Sequence, residues 1–170
     1  MQTSKWGPSA WTFLHTTSFN YPEINPTPEQ KKYYYELFYN LQFTLPCKFC
    51  RETYTIFFKY IDIKQYLDDR MGITYWLYTV HNIVNMKLNK KLVKFIDVVN
   101  YYENIRANQN NIECNKKLCI CDNVICCCLK ICNCQKCTNN IDFVNKTKSK
   151  YGYITKKFIE ELIECSELKN

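Results

Sequence analysis

From Pro8 to about residue 105 the apolar side chains return at helical spacing, and no stretch shows strand alternation or a βαβ rhythm. Pro8 suits a first helical turn, and Trp11, Leu14, His15 and Ser18 follow at i, i+3, i+4 and i+7. The segment YPEINPTPEQ then breaks the pattern with Pro22, Pro26 and Pro28. Thr27, Pro28 and Gln30 form a helix start, with Thr27 as N-cap, Pro28 at N1 and Gln30 at N3 of a capping box. The helix beyond it carries Tyr33, Leu37, Leu41 and Leu45 four apart. Pro46 interrupts and opens a third helix, with Cys47 and Cys50 in its first turns and Tyr54, Phe57 and Phe58 further on. Residues 62–72 are less regular. A fourth helix is predicted from Thr74 to Asn89, with Leu77, Val80, Val84 and Leu88 on one side, and a fifth holds Phe95, Val98, Val99 and Tyr102. The predicted architecture is all-α, a four-helix bundle plus a short fifth helix. Only 3 glycines and 5 prolines in 170 residues exclude a loop-rich sandwich.

The composition changes after Arg106. The expected organisation is a helical domain over 1–106, a polar linker over 107–113, a cysteine-rich segment over 114–137, and a tail over 138–170. A terminal helix is expected in that tail from Thr155 to about Leu168, with Phe158, Ile159, Leu162 and Ile163 on one face. No apolar run approaches the roughly 18 residues a membrane span needs, so no span is expected. The first residues lack the apolar core and small-residue cleavage site of a secretory signal. The formal charge is +7, with 13 basic against 9 acidic residues up to Arg106 and 10 against 7 beyond it. That even spread, without a basic block, excludes a nucleic-acid arm.

The 12 cysteines are the unusual count. Two are Cys47 and Cys50, nine lie between Cys114 and Cys137, and one is Cys165. Without an export signal such a chain keeps its thiols reduced, which points to metal binding or redox chemistry. In Leu45-Pro46-Cys47-Lys48-Phe49-Cys50-Arg51 the two thiols sit three apart at a helix start. The helix N-terminus and the cations Lys48 and Arg51 favour thiolate, the species that attacks disulfides. Half a zinc site is the competing reading, but the helical part offers no second pair of ligands, and its histidines are only His15 and His81. On the fourth helix His81, Val84, Asn85 and Leu88 share a face, bordered by Asn82. Such a stripe is costly in an ordinary core, whereas a large heterocycle with polar edges satisfies it; a solvated helix face is the alternative. Trp6, Gly7, Trp11 and His15 can wall a flat aromatic ligand or simply pack against the core.

In this order and spacing the three elements resemble the Erv/ALR family of FAD-linked sulfhydryl oxidases. The family pattern opens W-G-x-x-x-W-x-x-x-H, here Trp6, Gly7, Trp11 and His15. A P-C-x-x-C follows, here Pro46, Cys47 and Cys50. Then comes W-x(4)-H-N-x-V-N-x-x-L-x-K, here Trp76, His81, Asn82, Val84, Asn85, Leu88 and Lys90. The style is that of the short members encoded by large DNA viruses, which carry Asn-Lys-Lys after the H-N motif, here Asn89-Lys90-Lys91. The resemblance implies an FAD enzyme that forms disulfides in protein thiol substrates and passes the electrons to O2, giving H2O2. It implies that Cys47 meets substrate and that Cys50 lies against the flavin ring. It also implies FAD contacts from Trp6, Gly7, Trp11, His15, His81, Asn82, Val84, Asn85, Leu88 and Lys90, with Tyr54 and Tyr101 or Tyr102 as further walls. It implies a homodimer, and from the viral style, host cytoplasm or virion with a thioredoxin-like relay partner. Many cellular members join two helices by a structural disulfide whose positions are Tyr78 and Phe95 here, so an aromatic contact is expected in place of that staple. Asn89 stands where cellular members have Gly, at the end of the fourth helix.

The resemblance also implies a mobile second cysteine pair that relays electrons to the active-site disulfide, for which Cys119, Cys121, Cys132, Cys134 and Cys137 are the candidates. An all-cysteine metal knot and a disulfide-stapled appendage remain alternatives for that segment. Cys165 equally suits a buried apolar position. Against the oxidase stands a second class of function, a cysteine-rich metal-binding or interaction protein on a helical scaffold.

Overall fold

The computed structural model describes residues 2–108, 135–152 and 160, with side chains for 2–106, 141–152 and 160. In chain order the helices are α1 (Thr3–Phe19), α2 (Pro28–Thr44), α3 (Lys48–Tyr60), α4 (Arg70–Lys87), α5 (Phe95–Asn108) and α6 (Gln135–Tyr151), with a 3-10 turn at Ile63–Tyr66. Among the described residues a lone bridge between Ile24 and Asp69 stands in place of any strand. No described helix is long and apolar enough to cross a membrane.

Helix α4 is the axis of the molecule because it is buried on nearly every side, from Gly72 and Ile73 through Trp76, Leu77 and Val80 to Ile83 and Asn85. Trp76 is fully buried, and its indole N–H donates to the Ile61 carbonyl at 2.8 Å, so the buried donor is not left unpaired. Around it Leu14, Phe38, Tyr54, Phe57, Ile63, Ile73 and Val80 form the main core. Each such large side chain contributes about 1.5–3 kcal/mol by leaving water. Helix α1 runs antiparallel to α4: Trp11 meets His81, while Phe19 joins Tyr75 at the other end.

The capping chemistry reads directly from the sequence. Thr27 and Gln30 make both bonds of the capping box, at 3.2 and 2.8 Å. Asp69 caps α4 through the Gly72 N–H at 2.7 Å, which starts that helix four residues before the apolar pattern does. The end of α4 settles the question raised by Asn89. Its φ is 52°, the left-handed region, and Asn tolerates that region better than most residues. The Asn89 N–H donates to the Met86 carbonyl at 2.9 Å and the Lys90 N–H to the Asn85 carbonyl at 2.8 Å, the paired bonds of a Schellman motif.

Two expectations change. On α2 the buried residue is Phe38, flanked by Tyr34, Tyr35, Leu41 and Leu45, while Tyr33 stands 62% exposed. Aromatic residues all round that helix blur the apolar period. The second change is α6, which the sequence reading did not anticipate. It begins inside the segment read as cysteine-rich and packs on α4 and α5. Its apolar face is sparse, with Val144 buried and Phe143 and Tyr151 half-buried. Phe19, Tyr75, Phe95, Val99 and Val144 make a second core there. Within it the Tyr78 and Phe95 rings lie 4.9 Å apart, the aromatic contact expected in place of a staple. Helix α5 continues to Asn108, into the stretch read as a linker. The expected helix at 155–168 lies outside the described residues, save for Glu160, which is helical.

Candidate functional site

Pro46 leaves the chain extended at Cys47, which becomes the N-cap of α3. Its sulfur accepts the Cys50 N–H at 3.3 Å. The Arg51 guanidinium donates to the Leu45 carbonyl at 2.6 Å and braces the turn ahead of the pair. Both thiols are free and partly buried. Their acidities are driven apart. A hydrogen bond from the Cys50 side chain, with backbone N–H groups and the Thr3 hydroxyl, lowers Cys47 below the ordinary thiol range. Burial first, then the neighbouring Cys47, pushes Cys50 up to about 11. Cys47 is therefore the more acidic thiol of the pair and Cys50 the less acidic, more shielded partner. The Thr3 hydroxyl reaches both sulfurs, which brings the first turn of α1 to the tip of α3. Lys87 ties the end of α4 to the same helix by donating to the Thr53 hydroxyl at 2.7 Å.

Helices α1, α4 and α5 assemble a polar and aromatic cluster. The His15 Nε2 and His81 Nδ1 lie 3.0 Å apart, and Trp11 stacks on His81 at 3.9 Å with the rings 4° from parallel. Tyr102 stacks on His15 from α5 at 4.9 Å. Burial, then the charge of His81, holds His15 down to about 3; burial, then Lys90, holds His81 down to about 4. Both rings are neutral near pH 7, so one proton serves the contact between them. The outer nitrogen, His15 Nδ1, is buried without a partner, and so is Trp6 Nε1. An unpaired buried polar atom costs about 1–3 kcal/mol. Arg70 Nε and Glu103 Oε1 also lack a hydrogen bond but face each other as an ion pair at 3.8 Å, which leaves His15 Nδ1 and Trp6 Nε1 as the two, among the described residues, in want of a partner.

The predicted site residues fall into three sets. Trp11, His15, His81 and Tyr102 come together as expected, and Trp6 and the buried Gly7 lie on α1 toward the Cys47 tip. A Cβ on Gly7 would meet nothing but the Thr3 methyl, at 3.6 Å, so there is open room beside it. Asn82 and Asn85 are buried but serve the fold. Asn82 bonds both the N–H and the carbonyl of Val93 at 3.0 and 2.9 Å, and Asn85 donates to Asn82 at 3.4 Å. Val84 packs on the core, and Leu88 and Lys90 are exposed at the helix end. Tyr54 stands apart: it is buried in the main core and its hydroxyl donates to the Phe38 carbonyl at 2.8 Å. A cleft of about 210 Å³ opens between α4 and α5, lined among others by His15, His81, Tyr101 and Tyr102. Tyr78, Val93 and Asp97 also line it and were not foreseen as site residues; Val93 arrives through its bonds to Asn82, which no spacing rule encodes. Cys119, Cys121, Cys132 and Cys134 lie outside the described residues, and Cys137 lies within α6 with its side chain outside them. Among the described residues no three metal-ligating side chains gather.

The Erv1/Alr family model matches residues 8–103. The probable FAD-linked sulfhydryl oxidase of Acanthamoeba polyphaga mimivirus is 35% identical over 104 residues, 61% of this chain and 72% of that protein. The mitochondrial FAD-linked sulfhydryl oxidase erv1 of Schizosaccharomyces pombe is 36% identical over 86 residues, 51% of this chain and 47% of that protein. Among solved structures the yeast Erv1 core aligns with a TM-score of 0.54 at 25% identity, covering 62% of this chain and 83% of that one.

Proposed function

This chain belongs to the Erv1/Alr family, and on that premise we propose that it is an FAD-dependent thiol oxidase that forms disulfides in protein substrates. The observation that carries the reading is the Cys47–Cys50 pair at the start of α3, with Cys47 as N-cap, in a chain whose α1 and α4 also bring Trp11, His15 and His81 together. In the oxidised enzyme a substrate thiolate attacks the Cys47 sulfur, and Cys50 leaves with the electron pair. A second substrate thiolate then attacks the substrate sulfur and releases Cys47, which leaves a substrate disulfide and two enzyme thiols. The N-cap position of Cys47 makes it a good leaving group for that second step.

The residues present fit FAD on three counts. The buried, unpaired His15 Nδ1 and Trp6 Nε1 match a ligand with polar ring edges. Gly7 has room for a flat group, and the cleft at Tyr102 adds aromatic walls. The holding set is Trp6, Gly7, Trp11, His15, His81, Leu88, Lys90 and Tyr102, with Asn82 and Asn85 shaping the loop beside them. When bound, FAD supplies the two-electron acceptor that reoxidises the cysteine pair and delivers the electrons to O2 as H2O2. The neutral histidines place a hydrogen-bonding edge there without adding charge.

The wider reading is also proposed: a homodimer, host cytoplasm or virion as the place of work, and a thioredoxin-like relay between this enzyme and its substrates. The cysteines at 119, 121, 132, 134 and 137 supply a relay pair within the chain. Serine at all five should spare dithiothreitol oxidation and slow protein oxidation. Truncation after Arg106 would not separate the two, because it removes α6 from the second core.

Purified protein should be yellow and release flavin on denaturation. Cys50→Ala should keep the colour and lose oxygen consumption with dithiothreitol by about a thousandfold or more. A colourless protein carrying stoichiometric zinc overturns the proposal and favours the cysteine-rich metal protein.

A further inference from the structure

Phe49 lies between the two reactive cysteines, and its side chain is 73% exposed. It is the most exposed large apolar side chain on α3, although the next turn of that helix buries Thr53 and Tyr54. A lone exposed apolar residue elsewhere on a surface needs no explanation. Here the chemistry makes its surroundings specific. A mixed disulfide holds the two Cα atoms about 4.4–6.8 Å apart. Helix geometry puts the Phe49 Cα about 5–6 Å from that of Cys47. A protein whose sulfur bonds Cys47 therefore has its own neighbouring residues within reach of the exposed Phe49 ring.

We propose that Phe49 determines specificity, selecting substrate cysteines that stand next to a large aliphatic or aromatic side chain. This rests on the reading of Cys47 as the sulfur that meets substrate. The ring sits at the reactive tip with no described ring partner, and a flanking apolar side chain covers it only while the mixed disulfide lasts. The contact thus stabilises the intermediate and the approach to it, and adds nothing to a small dithiol that lacks such a flank. Partial burial of a phenyl ring corresponds to a preference of about tenfold.

The test isolates the exchange step from the flavin. The full chain with Cys50→Ser is offered two synthetic peptides, each with one cysteine activated as a thionitrobenzoate disulfide. One carries Leu beside the cysteine and the other Ser. The Cys47 thiolate attacks the peptide sulfur, thionitrobenzoate leaves with the electron pair, and the adduct at Cys47 is timed by peptide mapping. The Leu peptide should react about tenfold faster. Adding Phe49→Ala should bring the ratio to about one. Phe49→Leu should keep it, and so should Tyr60→Ala, which removes an exposed ring at the far end of α3. Equal rates in the parent chain, or a preference that survives Phe49→Ala, overturn the proposal. No cofactor enters this exchange. Failure of the unsubstituted chain to oxidise dithiothreitol would count against the oxidase reading and leave the peptide ratio to decide this one.

Discussion

At its N-terminus α4 is closed by neighbours. Asp69 caps the Gly72 N–H, takes the Lys150 ammonium on its other oxygen, and accepts from the Tyr151 hydroxyl at 3.3 Å. Tyr75 donates to the Gly152 carbonyl at 2.8 Å, and Arg70 lies between Glu23 and Glu103. Toward its C-terminus the same helix faces a histidine cluster and a cleft. Among the described residues each end holds two buried polar atoms without a hydrogen bond, but they differ in kind. Arg70 Nε and Glu103 Oε1 face each other as an ion pair at 3.8 Å, whereas His15 Nδ1 and Trp6 Nε1 have no opposite charge beside them. One end answers its polar groups within the chain, and the other leaves two for a ligand to answer.

Two glycines make the sharpest test of that contrast. A Cβ on Gly72 would fall 2.3 Å from the Tyr66 carbonyl oxygen and 2.5 Å from the Tyr151 hydroxyl, and the backbone oxygen cannot move aside cheaply. Gly72→Ala should cost about 3 kcal/mol of stability, read by denaturant unfolding. A cost below about 1 kcal/mol would mean that this end is looser than described.

The next largest effect concerns the thiols. In reduced protein near pH 8, iodoacetamide should alkylate Cys47 at least about tenfold faster than Cys50, because reactivity follows thiolate fraction. Equal labelling by mass mapping would erase the division of roles.

The histidine pair predicts a smaller, pH-dependent effect. With His15 held down to about 3 in the folded chain and near 6.5 when unfolded, the unfolded state binds the extra proton as pH falls between those values. Stability present above pH 6.5 should therefore drain away on acidification at roughly 1 kcal/mol per pH unit from His15 alone. His15→Asn should flatten that slope in melting curves taken from pH 7 to 5.

Gly7→Ala should have the smallest effect and the opposite sign. With only the Thr3 methyl at 3.6 Å, alanine should stabilise the flavin-free chain by about 0.5 kcal/mol through helix propensity. The same change should weaken flavin retention if the room beside Gly7 belongs to the ligand.

What could be read beforehand followed local rules. The Thr27–Gln30 box, the Pro46 break and the apolar faces of α1 and α5 depend on neighbours in sequence, and they formed as read, whereas α4 is buried on nearly every side and its expected face loses Leu88 to solvent. Trp11, His15 and His81 also meet, which spacing alone left open and the family resemblance implied. The failures needed partners far along the chain. Gly72 fell in the stretch read as less regular, yet it lies in the first turn of α4, crowded by Tyr66 and Tyr151. Helix α6 carries too few apolar residues for its period to show, and the second core it completes comes from α1, α4 and α5. Asn82, expected at the cofactor, also pairs with the Val93 backbone, a contact not inscribed in any motif.

The clamp at Asp69 also bears on how the chain acquires its shape. Its partners Lys150 and Tyr151 lie some eighty positions downstream. During synthesis the first five helices emerge well before them, and among the described residues it is α6 that covers Phe19, Tyr75 and Phe95. Contact order therefore makes this long-range closure slower than the local contacts of the helices that precede it.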